Sequence, residues 1–222
     1  MEFKRINILC GHYGSGKTNV AVNLALKLSE IKKNVVALDL DIVNPYFRTK
    51  DSTNELEKAG VKLIASEFAN SNVDIPALPQ EMYSVTDNRD ITAVLDVGGD
   101  DRGALALGRL APKILEEENY QMLMVINCYR PLTRDVQSTI EVMREIEAAS
   151  KIKFTGLVNN SNIGRETTAE DVLKSKEYAQ QISEKTGLEI ALTTVNEGLF
   201  EKLEGKMPNL FPLSLQKNLL IN

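Results

Sequence analysis

The chain of 222 residues is 43% hydrophobic and carries a formal net charge of −5 at pH 7. This length can bury a sizeable core without disulfides, and we expect one domain that spans residues 1–222. The acidic charge balance argues against a general binder of nucleic acids or anionic membranes. Because the first residues do not resemble a signal peptide and no apolar run reaches membrane-spanning length, we expect a cytoplasmic protein without a membrane span.

The first element is a short apolar strand that begins at Ile6 and leads into a glycine-rich loop. Residues Gly11–Thr18, with the sequence GHYGSGKT, satisfy the pattern G-x-x-x-x-G-K-[ST]. Backbone N–H groups of such a loop, together with the positive end of the following helix, bind phosphate. We therefore expect Lys17 to reach the β- and γ-phosphates of a nucleotide and the Thr18 hydroxyl to hold Mg²⁺.

The next two elements are a helix from Lys17 to about Glu30 and a strand that begins at Asn34. Apolar residues recur in the helix at positions i, i+3 and i+4, which predicts one buried face. The strand, NVVALDLDI, contains Asp39 and Asp41, and alternation directs both carboxylates to one side at its carboxyl end. In open α/β sheets ligands bind at this end of the strands.

The segment from residue 43 to residue 88 is less regular. Val61–Ala65 could form a short strand, whereas residues 66–79 show no clear period and are predicted to be mobile or to face a partner. A buried-type strand over residues 91–96 follows and ends in Asp96, after which come Gly98 and Gly99. A Walker B strand requires such an apolar run before a carboxylate, which holds a magnesium-bound water. The paired glycines allow close approach to a γ-phosphate.

The remaining elements alternate between helical period and apolar runs. The expected helices cover residues 103–118, 131–150 and 169–186, and the expected strands cover residues 120–128, 154–158 and 188–194, followed by a short tail. This alternation predicts repeated βαβ units. We therefore expect an α/β fold of three layers, with a mostly parallel central sheet flanked by helices.

Two smaller groups of residues are given structural interpretations. Cys10 and Cys128 lie in apolar runs without a C-x-x-C pair, so we expect buried thiols and no zinc site. Arg48, Arg102 and Arg130 lie near strand ends, where each could contact phosphate, although solvation at the surface is the favoured interpretation.

Three elements in fixed order resemble the MinD/ParA-like branch (CobQ/CobB/MinD/ParA, SIMIBI class) of P-loop NTPases. They are the GxxxxGKT loop, the Asp-x-Asp at the end of the next strand and the apolar strand that ends in Asp-x-Gly-Gly. The likeness extends to Asn127–Asp135 and to Leu157–Asn162, and it covers residues from about 5 to about 200. It implies a P-loop NTPase fold and a protein that changes shape between its ATP- and ADP-bound states.

The resemblance also implies roles for individual residues. Asp41 would lie close to the magnesium ion and the attacking water, Asp39 would support that shell, and Asp96 would be the Walker B carboxylate. Asn160, with Asn159 as the second choice, would bind the nucleotide base. The predicted catalytic residues are Lys17, Asp41 and Asp96. The predicted nucleotide-binding residues are Gly11, Gly14, Ser15, Gly16, Lys17, Thr18, Asn160 and Asn159. The predicted magnesium ligands are Thr18, Asp39, Asp41 and Asp96.

One position departs from the family pattern. The usual loop carries an early lysine that crosses a dimer interface, and His12 stands at that place here. The sequence therefore leaves open whether a nucleotide-dependent homodimer forms. ATP is favoured over GTP because the segment Asn159–Asn162 lacks the lysine and aspartate of the N-K-x-D pattern of GTP-binding proteins, and an amide can pair with the edge of adenine.

The leading functional hypothesis is an ATP-hydrolysing, magnesium-dependent switch that acts on a protein partner. The first alternative is a metallocentre-assembly GTPase, which would need more histidine or cysteine ligands than one histidine and two cysteines readily supply. The second alternative is an ATP-dependent kinase or ligase of the cobyrinate/dethiobiotin type, with room for an acceptor at residues 68–83. The third is a nucleotide-binding regulatory module that barely hydrolyses its ligand.

Overall fold

The centre of the protein is a parallel β-sheet. The computed structural model describes residues 3–41, 53–65, 79–99 and 101–214. Within them the strands are β1 (Ile6–Cys10), β2 (Val35–Leu40), β3 (Lys62–Ala65), β4 (Thr92–Val97), β5 (Tyr120–Ile126), β6 (Gly156–Asn159), β7 (Ile190–Asn196) and β8 (Leu210–Leu213). Each pairs in parallel with its neighbours in the order β3-β2-β4-β1-β5-β6-β7-β8. The strand β1 therefore lies in the interior of the sheet.

Helices cover both faces of this sheet. They are α1 (Lys17–Ser29), α2 (Thr53–Lys58), α3 (Ser84–Asp87), α4 (Asp101–Glu117), α5 (Val136–Ser150), α6 (Ala169–Thr186) and α7 (Phe200–Leu203). Alternating residues of β1 belong to different apolar clusters: Ile8 belongs to the cluster that includes residues of α4, α5 and α6, whereas Leu9 belongs to the cluster that includes residues of α1 and α2. The predicted α/β fold with three layers is confirmed. No helix in the described part of the chain is long and apolar enough to cross a membrane.

Four short elements were missed by the sequence prediction: α2, α3, α7 and β8. The helix α2 buries only Leu56, so it shows no apolar period. The strand β8 lies in the segment predicted as a tail and contains Pro212, which a strand tolerates at the edge of a sheet. Its alternate residues Phe211 and Leu213 are buried in the cluster that contains α1, so β8 extends the sheet by one strand.

The segment between β5 and β6 begins differently from the prediction. The structure has a 3₁₀ turn at Pro131–Thr133 and starts α5 only at Val136. The side chain of Asp135 accepts a hydrogen bond of 2.9 Å from the backbone N–H of Ser138 and caps this helix. The polar residues after β5 are thereby kept outside the helix, close to the carboxyl end of the sheet.

A buried ion pair joins elements at the opposite end of β1. Arg5 and Glu117 form an ion pair, and their side chains are 8% and 9% exposed. The guanidinium of Arg5 also donates to the carbonyl oxygens of Val85 at 2.9 Å and Ile91 at 2.8 Å. This contact links the start of β1 to α3, to the residue before β4 and to the end of α4.

We expect the substitution Glu117→Ala to lower the free energy of unfolding by about 3 kcal/mol, because it leaves the charge of Arg5 buried without its carboxylate. Glu30→Ala is the matched control, since Glu30 pairs with Lys27 at the surface and such pairs contribute at most about 1 kcal/mol. Urea denaturation of both variants measures the difference. Equal losses would show that the pair at Arg5 behaves like a surface ion pair.

Candidate nucleotide-binding site

The phosphate loop runs from the end of β1 to the start of α1. It closes on itself through a hydrogen bond of 3.1 Å from the N–H of Ser15 to the carbonyl of His12. Gly14 and Gly16 have φ values of 76° and 89°, in the left-handed region that favours glycine. Gly16 is also crowded, because a Cβ atom there would overlap the side-chain nitrogen of Asn160. The loop therefore needs glycine at this position for two separate reasons.

A cavity of about 870 Å³ opens at the carboxyl ends of the strands. Lys17 and Thr18 lie at its edge and are 6% and 9% exposed. The ammonium group of Lys17 is 3.4 Å from the carbonyl oxygen of His12. The described residues that line the cavity are Tyr13–Asn19, Asp41, Asn127, Arg130, Asn160, Asn162–Thr167, Val172, Thr194–Asn196 and Leu213. The segment Gly14–Thr18 predicted to bind phosphate thus forms one wall of the cavity.

The three predicted aspartates converge at the ends of β2 and β4. Asp39 lies opposite Asp96 in the register of these strands, and the two are 2% and 1% exposed. The backbone N–H of Asp41 donates to Oδ1 of Asp39 at 2.8 Å. Of the three, Asp41 lines the cavity. Asp39 therefore orients the turn that carries Asp41. Asp96 is buried beside Asp39 on the neighbouring strand.

The cysteine that precedes the loop is a protonated thiol. Burial raises the pKa of Cys10, and the charge of Asp96 raises it further, against the opposing effect of Lys17. A thiol with a raised pKa is not a nucleophile at neutral pH. The expectation of a buried thiol is met by Cys10, whereas Cys128 is only partly buried because it lies beyond the end of β5.

The glycines after β4 pack against the phosphate loop. A Cβ atom at Gly99 would lie 2.6 Å from the backbone nitrogen of Tyr13 and 2.9 Å from its Cα. A Cβ atom at Gly103, in the first turn of α4, would lie 2.6 Å from the backbone nitrogen of Gly98. The backbone that leads into α4 is thus in direct contact with the loop.

The two candidate base-binding asparagines point in different directions. The side chain of Asn160 donates to the carbonyl of Ser15 at 2.6 Å and accepts from the hydroxyl of Thr194 at 2.6 Å. Asn159 donates to the hydroxyl of Ser175 in α6 at 2.9 Å. Asn160 therefore lines the cavity and is hydrogen-bonded to the phosphate loop, whereas Asn159 is hydrogen-bonded to α6. A role for either in binding the base stays a prediction.

Several lining residues were missed by the sequence prediction. Asn127 donates to the carbonyl of Asn162 at 3.1 Å and accepts from the N–H of Tyr129 at 3.0 Å, so it shapes the cavity wall. Thr194 lies near the end of β7 and supports Asn160. Both are polar residues at carboxyl ends of strands, which is the signal that could have indicated them.

Of the three arginines predicted near strand ends, Arg130 lines the cavity. Arg102 is exposed, and Arg48 lies outside the described residues.

The oxygen donors of this site fit Mg²⁺. The Thr18 hydroxyl and the Asp41 carboxylate line the same cavity, and hard cations prefer oxygen ligands. Among the described residues, no group of three or more His, Cys, Asp and Glu side chains could hold a metal ion. Mg²⁺ differs from Zn²⁺ in this respect, because it is usually bound through one or two carboxylates together with substrate phosphates.

The fold and the site define a nucleotide-binding P-loop NTPase. Residues 8–193 match a family model described as the CobQ/CobB/MinD/ParA nucleotide binding domain. The chain therefore belongs to this family, and the resemblance inferred from its motifs is confirmed. No curated protein sequence matches the chain.

Solved structures with the same fold include components of the signal recognition particle system. The cell division protein FtsY of Thermotoga maritima is 18% identical, with a TM-score of 0.59 over 89% of this chain and 63% of that one. The 54 kDa signal recognition particle protein of Aeropyrum pernix, in complex with GDP, is 16% identical, with a TM-score of 0.58 over 86% of this chain and 41% of that one. The chain thus spans less than two thirds of either protein, and the likeness shows a shared fold.

We expect Asn160→Asp to lower the free energy of unfolding by about 2 kcal/mol, because a carboxylate oxygen would face the carbonyl of Ser15 and leave it without a donor. Asn119→Asp is the control, since the side-chain oxygen of Asn119 only accepts a bond, from the N–H of Arg5, and the substitution keeps that acceptor. The measurement is denaturation of the nucleotide-free proteins. Unchanged stability in Asn160→Asp would show that its amide does not hold the loop.

Proposed function

We propose that this protein binds Mg-ATP and hydrolyses it, and that the cycle acts as a switch on a protein partner. The observation that carries the proposal is the common cavity of about 870 Å³ that Lys17, Thr18 and Asp41 line. A phosphate loop, a metal-binding hydroxyl and a carboxylate at one cavity are the groups that phosphoryl transfer to water requires.

In this mechanism the backbone N–H groups of the loop and the ammonium of Lys17 bind the β- and γ-phosphates. Thr18 and Asp41 would hold Mg²⁺, with Asp39 and Asp96 supporting them, and the ion when bound neutralises phosphate charge. Asp41 orients a water molecule towards the γ-phosphorus. The water forms a bond to this phosphorus as the bond to the bridging oxygen breaks, which leaves ADP and phosphate.

The contact between Gly99 and the loop supports a switch. A γ-phosphate would lie beside the loop, and the segment after β4 packs on the loop backbone with no room for a side chain. A shift of this segment is transmitted directly to α4, because α4 begins at Asp101. A partner that contacts α4 or the loop would therefore sense which nucleotide is bound.

GTP is the second candidate for the nucleotide. Two of the similar structures are complexes with GDP, one of FtsY from Elizabethkingia anophelis and one of the Aeropyrum pernix protein. We favour ATP because the segment Asn159–Asn162 lacks the N-K-x-D pattern. Binding of ATP and GTP, each with Mg²⁺, to the same preparation decides between them.

The other hypotheses have no specific support among the described residues. The acceptor region expected for a kinase or ligase, residues 68–83, lies mostly outside them, at residues 68–78. Residues Asn44–Arg48, beyond Asp41, also lie outside. A nucleotide-dependent homodimer, a cytoplasmic location and a single domain over the whole chain stay predictions.

We expect Lys17→Ala to weaken binding of the nucleoside triphosphate by about 100-fold or more, because it removes the ammonium that neutralises the terminal phosphates. Lys27→Ala carries the same substitution on the exposed side of α1 and should bind normally. Titration calorimetry with Mg²⁺ present measures both affinities. Equal affinity in the two variants, or no binding to the unsubstituted protein, would refute the proposed function.

We expect Asp41→Asn to lower the hydrolysis rate by about 100-fold or more while nucleotide binding changes much less, since an amide orients water poorly as an acceptor. Asp90→Asn is the control because Asp90 is exposed in the turn before β4. Single-turnover phosphate release measures the rate. A rate equal to that of the control would remove Asp41 from the catalytic residues.

A further inference from the structure

Arg130 is held in a fixed turn beyond the end of β5. Its backbone N–H donates to the carbonyl of Asn127 at 3.2 Å, and its carbonyl accepts from the N–H of Thr133 at 3.1 Å. The hydroxyl of Thr133 donates to the same carbonyl of Asn127 at 2.9 Å. Because Asn127 and Arg130 both line the cavity, this turn determines where the arginine side chain leaves the backbone.

The side chain of Arg130 lies against the phosphate loop. A Cβ atom at Gly14 would be 3.7 Å from both Cδ and Nε of Arg130, so the arginine side chain lies beside the loop at the position that a side chain of residue 14 would face. The Nε atom is buried, and it has no hydrogen-bond partner among the described residues. A guanidinium stays charged at any physiological pH.

A buried donor without a partner destabilises a protein, and more so when the group is charged. The cavity offers an explanation for this donor without a partner. Lys17 lines the same cavity and is also positive, so the two side chains together favour an anionic ligand. The charged residues elsewhere around it are Asp41, Arg165 and Glu166. The guanidinium fork forms paired hydrogen bonds to phosphate oxygens, which a lysine cannot do. A phosphate group next to Gly14 would therefore satisfy the donors of Arg130.

We propose that Arg130 donates hydrogen bonds to the terminal phosphates of the nucleotide bound in the same chain. This inference rests on the proposed function and adds a second cation, supplied in cis, to that of Lys17. It also identifies the ligand class at this point of the cavity as a nucleoside di- or triphosphate, because Gly14 belongs to the loop that is proposed to bind the β- and γ-phosphates.

The test compares Arg130→Gln with Arg134→Gln in the full chain. Arg134 lies four residues later and is exposed, so it controls for loss of one positive charge. Affinities for ATP, ADP and AMP are measured with Mg²⁺, or for the guanine series if the unsubstituted protein prefers it. We expect Arg130→Gln to weaken ATP binding roughly 10- to 100-fold, ADP binding less and AMP binding not at all. Arg134→Gln should match the unsubstituted protein.

The melting temperature of the nucleotide-free protein separates phosphate binding from a structural role. Removal of a guanidinium whose Nε is buried without a hydrogen-bond partner among the described residues should leave this temperature unchanged or raise it. A lower melting temperature with equal weakening for all three nucleotides would show that Arg130 only supports the loop, and would overturn the inference. Arg130→Lys keeps the positive charge but cannot form the paired hydrogen bonds of a guanidinium, so its affinity for ATP should lie between those of the unsubstituted protein and Arg130→Gln. This variant replaces Arg130→Gln in the test if the glutamine variant does not fold.

The outcomes also separate this inference from the proposed function. If the unsubstituted protein binds ATP or GTP and Arg130→Gln binds it equally well, the role of Arg130 is wrong while the function stands. If the unsubstituted protein binds neither nucleotide, both are wrong.

Discussion

The site depends on close backbone packing around the phosphate loop. The loop is contacted on one side by the amide of Asn160, which leaves no space for a side chain at Gly16, and on another side by Gly99, which packs on the backbone of Tyr13. Close-packed contacts of this kind have discrete arrangements and deform little. A ligand that displaces the loop must therefore displace its neighbours, and this couples the cavity to the start of α4.

The order of the strands determines which residues reach the loop. Because β1 lies between β4 and β5, the loop that follows β1 has the aspartates of β2 and β4 on one side and the polar turns after β5 and β6 on the other. The first side carries carboxylate oxygens, and of these aspartates Asp41 lines the cavity. The opposite side provides Arg130 and the amide cluster around Asn160. The turn after β6 carries both signs of charge, because Arg165 and Glu166 line the cavity as well.

Asn160 illustrates how one residue serves both the structure and the site. Its amide donates to the carbonyl of Ser15 and accepts from Thr194 and Asn162, and the residue also lines the cavity. Such a residue links the conformation of the loop to the end of β7, where other lining residues lie. The geometry of the lining residues near the end of β7 therefore depends on the conformation of the phosphate loop.

The sequence by itself determined the layered α/β fold, because apolar period and turn residues are local properties. It also determined the phosphate loop, since Gly11–Thr18 carries its chemistry in consecutive positions, and it indicated Asp39, Asp41 and Asp96 as residues at strand ends. Only the tertiary structure decided that Asp41 lines the cavity while Asp96 is buried. The same holds for Arg130, whose Nε is buried beside Gly14, and for Asn160, which bonds to a carbonyl 145 positions earlier. The physical reason is that such contacts depend on strand order and register, which no local pattern encodes.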